Sequence, residues 1–112
     1  MSKYHSRKIE IDGILFDSKK EAEHYKVLCL REKAGEIDQL ELQPKFRLLP
    51  SQKFKHMDNE RPLDYIADFQ YREIRTGRIV VEDVKGIRTK DYIIKRKLFK
   101  FTHPTYEFRE VK

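Results

Sequence analysis

Apolar and polar residues alternate through "KIEIDGILF", on either side of Asp12-Gly13. That dipeptide favours a two-residue hairpin turn, so a short β-hairpin opens the fold. The period then changes. In "DSKKEAEHYKVLCLREKAG", Ala22, Tyr25, Leu28 and Cys29 fall on one face at helical spacing. Ser18 is placed to cap this helix, with Glu21 three residues on, and Gly35 is a good stop. "IDQLELQPKFRLLP" reads as a strand interrupted at Pro44, which suits an edge or a bulge.

The polar segment "SQKFKHMDNERP" predicts a mobile loop. "LDYIADFQYRE" predicts a strand with Tyr65, Ala67, Phe69 and Tyr71 on one face, while Leu63, Ile66 and Asp68 break strict alternation. "RTG" turns the chain into "RIVVEDVK", which makes these two strands a hairpin. "TKDYIIKRKLFKFTH" predicts a helix capped by Thr89, with Ile94, Leu98 and Phe101 facing the core. "TYEFREV" closes as a short strand. The predicted fold is α/β, in the order hairpin-α-β-β-β-α-β, with a central mixed sheet flanked by helices.

A chain of 112 residues supplies one modest core, so a single domain over 1–112 is expected, with 1–7 a flexible basic arm. No apolar run approaches the ~20 residues that span a bilayer, and "MSKYHSRK" lacks the apolar segment of a signal peptide. The lone Cys29 forms no internal disulfide, which fits a reducing, cytoplasmic setting without a membrane partner. A net charge of +6 fits a polyanionic partner, because each phosphate neutralised releases counterions. It equally fits a protein that is merely basic.

The charged end of an apolar strand narrows the choice. "IVVEDVKG" runs β-branched residues into Glu82, Asp83 and Lys85, and burying such charges costs several kcal/mol unless they are paired or bind a metal. Alternation puts Asp83 and Lys85 on one face and Glu82 on the other. The preceding strand carries Asp68 among apolar neighbours. Two carboxylates on adjacent strands suit one hard cation such as magnesium, which keeps water and phosphate oxygens in its remaining positions. A lysine on the same face serves the attacking water or the phosphate oxygens.

Asp68, the triplet Asp83-Val84-Lys85 on the next strand and a preceding helix bearing Glu21 resemble the PD-(D/E)XK nuclease superfamily. More narrowly, "DGILFDSKKEAEHY", "LELQPKF", "YIADFQY" and "VEDVKGIRTKDYIIKRKLF" resemble a phage-associated family of small predicted endonucleases. The resemblance covers nearly the whole chain and implies a restriction-endonuclease-like core. It also implies a magnesium-dependent endonuclease hydrolysing DNA, with manganese able to substitute, active in phage or prophage DNA processing. On it, Asp68 and Asp83 are metal ligands beside the Val84 carbonyl, Lys85 orients or activates water, and Glu21 reaches the metal directly or through water. Gln43, in "LQP", resembles a glutamine lining the site in some relatives. Ala67 stands where the superfamily pattern has proline, which leaves the ligand assignment intact and the short motif less diagnostic.

Plainer readings stand beside these. Glu21 completes a capping box with Ser18, Asp83 and Lys85 can form a cross-strand ion pair, and Asp68 can guard a strand edge. His5, His24, His56 and His103 show no metal-ligand spacing, and surface or loop roles are expected for them. No Gly-rich phosphate loop is present, and neither Ser18 nor Cys29 has a base signature beside it.

Arg88, Lys90, Lys95 and Arg96, with Lys3, Arg7 and Lys8 of the N-terminal arm, are candidates for tracking a phosphate backbone; otherwise they are a solvated face. No base-reading motif accompanies them, so structure rather than sequence is expected to govern cleavage. A homodimer and phage replication or recombination proteins are further partners that the resemblance allows. The alternatives to an enzyme are a noncatalytic nucleic-acid-binding module on the same fold and a phage adaptor protein.

Overall fold

Residues 8–112 are described by the computed structural model; the predicted basic arm, with His5, Lys3 and Arg7, lies outside them. β1 (Ile9–Ile11) and β2 (Ile14–Phe16) form the opening hairpin, in register Ile11↔Ile14. Asp12 and Gly13 both have positive φ, 54° and 77°, as a hairpin turn of this twist requires. α1 (Lys19–Lys33) is capped at Ser18, whose Oγ accepts from Glu21 N–H at 3.1 Å. The helix ends where Gly35 takes φ 76°, with Glu36 N–H bonded back to the Arg31 carbonyl. Ala22, Tyr25 and Leu28 are buried and Cys29 packs beside them, as the helical period indicates.

β3 (Ile37–Leu42) and β4 (Lys45–Leu49) are the two halves of the segment split at Pro44. The segment predicted as one strand over "LDYIADFQYRE" is likewise two, β5 (Leu63–Ile66) and β6 (Phe69–Glu73). The two splits are one feature. β3 pairs with β6 and β4 with β5, so 37–49 and 63–73 form a long antiparallel ribbon bent in the middle. Pro44 has no N–H to give the ladder, and Gln43 beside it adopts φ 51°. Gln43 N–H to the Asp68 carbonyl (2.9 Å) and Ala67 N–H to the Pro44 carbonyl (3.0 Å) bracket the bend. Asp68 therefore sits at its corner.

The bend corrects the single-face reading of the second strand. Tyr65, Ala67, Phe69 and Tyr71 are all buried, but the first two and the last two enter different cores. The expected free loop at 51–62 also has structure. Gln52 and Glu60 exchange backbone hydrogen bonds (2.9 and 2.8 Å) and Asn59 Oδ1 accepts from Phe54 N–H, extending the ribbon past β4 and β5.

β7 (Ile79–Val84) returns antiparallel to β6, and β8 (Glu107–Val111) lies parallel to β7. The resulting mixed sheet has the order β3-β6-β7-β8. α2 (Lys90–Thr102) crosses between β7 and β8, capped by Thr89, whose Oγ1 accepts from Tyr92 N–H at 3.1 Å. The fold is thus mixed α/β, a central mixed sheet with two helices. Leu28, Phe69, Tyr71 and Val80 form a core with α1; Phe46, Tyr65, Val81 and Phe99 form a second with α2.

The face of α2 differs from the expectation. Tyr92 and Phe99 are buried and Leu98 packs partly, while Ile94 is 56% exposed and Phe101 83%. Both residue sets keep helical spacing, and the aromatic one fills the space against Phe46 and Tyr65. Among the described residues, no helix is long and apolar enough to cross a membrane.

Candidate active site

β7 carries two adjacent buried carboxylates, and pleating sends them to opposite faces. Glu82 points toward α1. Its Oε1 accepts from His24 Nε2 at 2.7 Å and its Oε2 from Tyr71 O–H at 2.7 Å. Arg31 and Arg109 in turn donate to the Tyr71 oxygen. His24 is thus half-buried in a hydrogen bond to Glu82 rather than in a surface role. Its place three residues after Glu21, one turn along the helix, was the available signal. His103 stacks on Phe99 at 5.1 Å between ring centroids, and His56 is exposed.

Asp83 points toward α2 and is 2% exposed. Its Oδ2 accepts from the Tyr65 hydroxyl, which burial beside Asp83 keeps protonated. Its Oδ1 is buried without a hydrogen bond of good geometry, although Lys85 Nζ lies 2.9 Å away. Lys85 also sits 4.4 Å above the Tyr92 ring, a cation–π contact that fixes its ammonium on this side of the strand.

Asp68 reaches the same place from the bend of the ribbon. Its Oδ2 accepts from Val84 N–H at 2.7 Å, which ties it to the end of β7. Burial foremost, and then the charge of Asp83, push the Asp68 carboxyl up to about 7, against the lowering effect of the Val84 N–H. Glu21 is raised as well, first by partial burial, then by Asp17 and Asp83, with Lys85 opposing. Among the described residues, no bond from Ser18 N–H closes a capping box on the Glu21 side chain.

Glu21, Asp68, Asp83, Val84 and Lys85 are therefore drawn together from a helix, a ribbon bend and a strand end. The Asp83 charge that raises the proton affinity of Asp68 and Glu21 is what a bound cation would relieve. The donors are all oxygens, as magnesium or manganese requires, and Asp83 Oδ1 is a buried acceptor still short of a good partner. Among the described residues, no three His, Cys, Asp or Glu side chains already stand close enough to form a finished ion site.

Other sequence-predicted residues lie differently. Gln43 is exposed and meets the site through the bond from its backbone N–H to the Asp68 carbonyl. Arg88 and Arg96 are engaged by Glu110, at 2.7 and 3.5 Å, and Arg96 also covers the Tyr92 ring. Lys90 is exposed at the start of α2, and Lys95 borders a groove beside Asp64 and Asp91. Lys8 pairs with Asp17 across the opening hairpin. Among the described residues, Lys8, Arg88 and Arg96 are thus engaged with carboxylates, while Lys90 is exposed and Lys95 borders its own groove. Sequence reasoning passed over Lys20, Glu110 and Lys112, which with Lys85, Gly86 and Arg88 line a cleft of about 430 Å³ beside the carboxylates.

No curated protein and no solved structure matches the chain. A family model described as a protein of unknown function matches residues 1–112, and by that match over its whole length the chain belongs to the DUF1064 family.

Proposed function

We propose that the protein is a metal-dependent endonuclease of the PD-(D/E)XK superfamily, with a restriction-endonuclease-like core, that hydrolyses DNA phosphodiester bonds. The observation that carries the reading is the meeting of Asp68 and Asp83 beside Lys85. Two carboxylates have converged where a strand end and a ribbon bend cross, and burial together with the charge of Asp83 raises the proton affinity of Asp68. In this reading Asp68 and Asp83, with the Val84 carbonyl, hold magnesium, and Glu21 supports it directly or through water. The ion would supply a more acidic water and neutralise charge on the scissile phosphate.

The chain's own residues do the rest. Tyr65 and Val84 N–H orient the two carboxylates. Lys85 offers a cation beside them, without which two acids would repel a phosphodiester; its ammonium stabilises the charge that grows on the phosphate oxygens. Water attacks phosphorus and gives up a proton to solvent, the bond to one ester oxygen breaks, and that oxygen takes a proton from solvent and leaves as the hydroxyl of the departing strand. Strand topology, rather than base sequence, is the expected determinant of cutting. Phage or prophage DNA processing is the setting that fits this activity.

A second reading has its own support. Asp68 and Asp83 both accept hydrogen bonds within the fold, and no finished ion site is formed among the described residues. A noncatalytic nucleic-acid-binding module would use the acids that way. Cleavage of labelled duplex, single strand, flap and four-way junction in magnesium, manganese or EDTA separates the two. The nuclease reading expects metal-dependent cutting that falls to background in Asp83→Ala and in Lys85→Ala. Salt-sensitive binding of the same DNAs with no cutting in either metal would establish the noncatalytic module instead.

A further inference from the structure

The cleft beside the acidic centre is built almost wholly from cations. Lys20 comes from the first turn of α1, Lys85 and Gly86 from the end of β7, Arg88 from the approach to α2, and Glu110 and Lys112 from the β8 side. Four cations meet one carboxylate there. Glu110 is already committed, accepting from Arg88 Nε at 2.7 Å and from the Tyr92 hydroxyl at 2.6 Å, with Arg96 at 3.5 Å. Among the described residues, Lys20 and Lys112 form no ion pair.

Of the other two cations, Lys85 meets Asp83 at 2.9 Å and Arg88 meets Glu110. Other exposed lysines, such as Lys55, stand without an ion pair among the described residues, but they do not gather around a cleft next to the carboxylates. Two unpaired lysines and two partly engaged cations thus share one concave place, where low-dielectric walls focus their field on an anion. The cleft also adjoins the acidic centre. Lys85 belongs to both, and Lys20 precedes Glu21 in the chain.

We propose that this cleft is a phosphate-binding subsite, which seats a phosphate of the nucleic-acid strand next to the bond held at Asp68 and Asp83. The inference rests on the nucleic-acid substrate argued above and adds where the strand is gripped. Lys20 and Arg88 are its positioning cations, and Arg88 turns part of its guanidinium from Glu110 to the anion. A phosphate held here offsets the repulsion between strand and carboxylates at a point that takes no part in bond breaking. The gripped group is either a terminal phosphate or an internal phosphodiester. The two share their chemistry and differ in the substrate that benefits.

The test is metal-free, so that it reads the cleft apart from catalysis. Inorganic phosphate is titrated in EDTA while backbone amide shifts are followed by NMR. Saturating shifts are expected at Gly86 and its neighbours, weakened several-fold in Lys20→Gln and abolished in Lys20→Gln/Arg88→Gln. Lys55→Gln, an exposed charge elsewhere, keeps them. Single-stranded octanucleotides with and without a terminal phosphate are then compared by fluorescence anisotropy. If the terminal phosphate tightens binding several-fold in the wild type alone, the subsite takes strand ends. If both oligonucleotides weaken equally in the double variant, with the salt slope falling by roughly 0.7 per lost contact, it takes internal phosphodiesters. Shifts absent from the cleft, or an equal loss in Lys55→Gln, would overturn the subsite. DNA cutting by the wild type is scored separately, so a nuclease without this subsite and a subsite without nuclease activity give different results.

Discussion

Glu82 and Asp83 are adjacent on one strand, and both are buried, 3% and 2% exposed, yet they live in opposite chemical worlds. Glu82 has each oxygen matched to a donor, His24 on one and Tyr71 on the other, inside a network that reaches Arg31 and Arg109. Asp83 has one hydrogen bond, from Tyr65, a buried oxygen that has only the Lys85 ammonium nearby and no hydrogen bond of good geometry, and a second carboxylate beside it. A polar group that exists to hold a fold together is satisfied by that fold, because an orphaned acceptor costs about 1–3 kcal/mol. On the proposed function, the acceptor left short is where a cation would bind. The pair teaches that burial alone does not separate a structural acid from a functional one, whereas the completeness of its partners does.

The largest effect that can break this comparison is on stability. Glu82→Ala strips His24 and Tyr71 of their shared acceptor and leaves a cavity between α1 and the sheet, at an expected cost of about 3 kcal/mol. Asp83→Asn keeps an acceptor for Tyr65 and removes the like charge beside Asp68, so its expected change stays within about 1 kcal/mol. Urea unfolding of the two variants measures both. An Asp83→Asn protein as destabilised as Glu82→Ala would make Asp83 a structural acid of the same kind.

The next effect is on pH dependence. Folding raises the Asp68 carboxyl from its ordinary range near 3.9 to about 7, so between these values the native protein holds a proton that the unfolded chain has released. More protons bound in the native state mean that stability falls as pH rises through that window, and Glu21 adds to it with the same sign. Metal-free wild type is expected to lose about 2 kcal/mol more than Asp68→Asn between pH 4 and pH 8. Groups common to both proteins cancel in this difference. Magnesium, which favours the ionised carboxyls, should restore stability to the wild type at pH 8 and do little at pH 5. Identical pH profiles for the two proteins would mean that Asp68 keeps an ordinary carboxyl and that the acidic centre is not strained. The Glu82 side of the strand predicts no such metal response.

How much of this was legible in the sequence follows the range of the interaction. Local signals carried through: Asp12-Gly13 made its turn, Ser18 and Thr89 their caps, Gly35 its stop, and strand pleating separated Glu82 from Asp83. Asp68 and Asp83 came together because a hairpin fixes which residues face each other. What escaped depends on contacts far apart in the chain. The ribbon bend is set jointly by Pro44 and the strand opposite it, and the pairing of His24 with Glu82 spans helix and sheet. The cleft draws on α1, β7 and β8 at once.

The face of α2 is the sharpest case, because its sequence offers two apolar stripes at helical spacing. Nothing within the helix chooses between Tyr92–Phe99 and Ile94–Phe101; the aromatic wall of Phe46 and Tyr65 does. The smallest predicted effect tests that choice. Phe101→Ser alters a ring that is 83% exposed, and its expected cost is within about 0.5 kcal/mol. The same replacement at Phe99 would open a core position and cost several times more, on the order of 3–5 kcal/mol. Thermal unfolding of Phe101→Ser decides it. A large loss would turn the helix the other way round, move Tyr92 out from beneath Lys85, and remove the contact that holds that lysine beside Asp83.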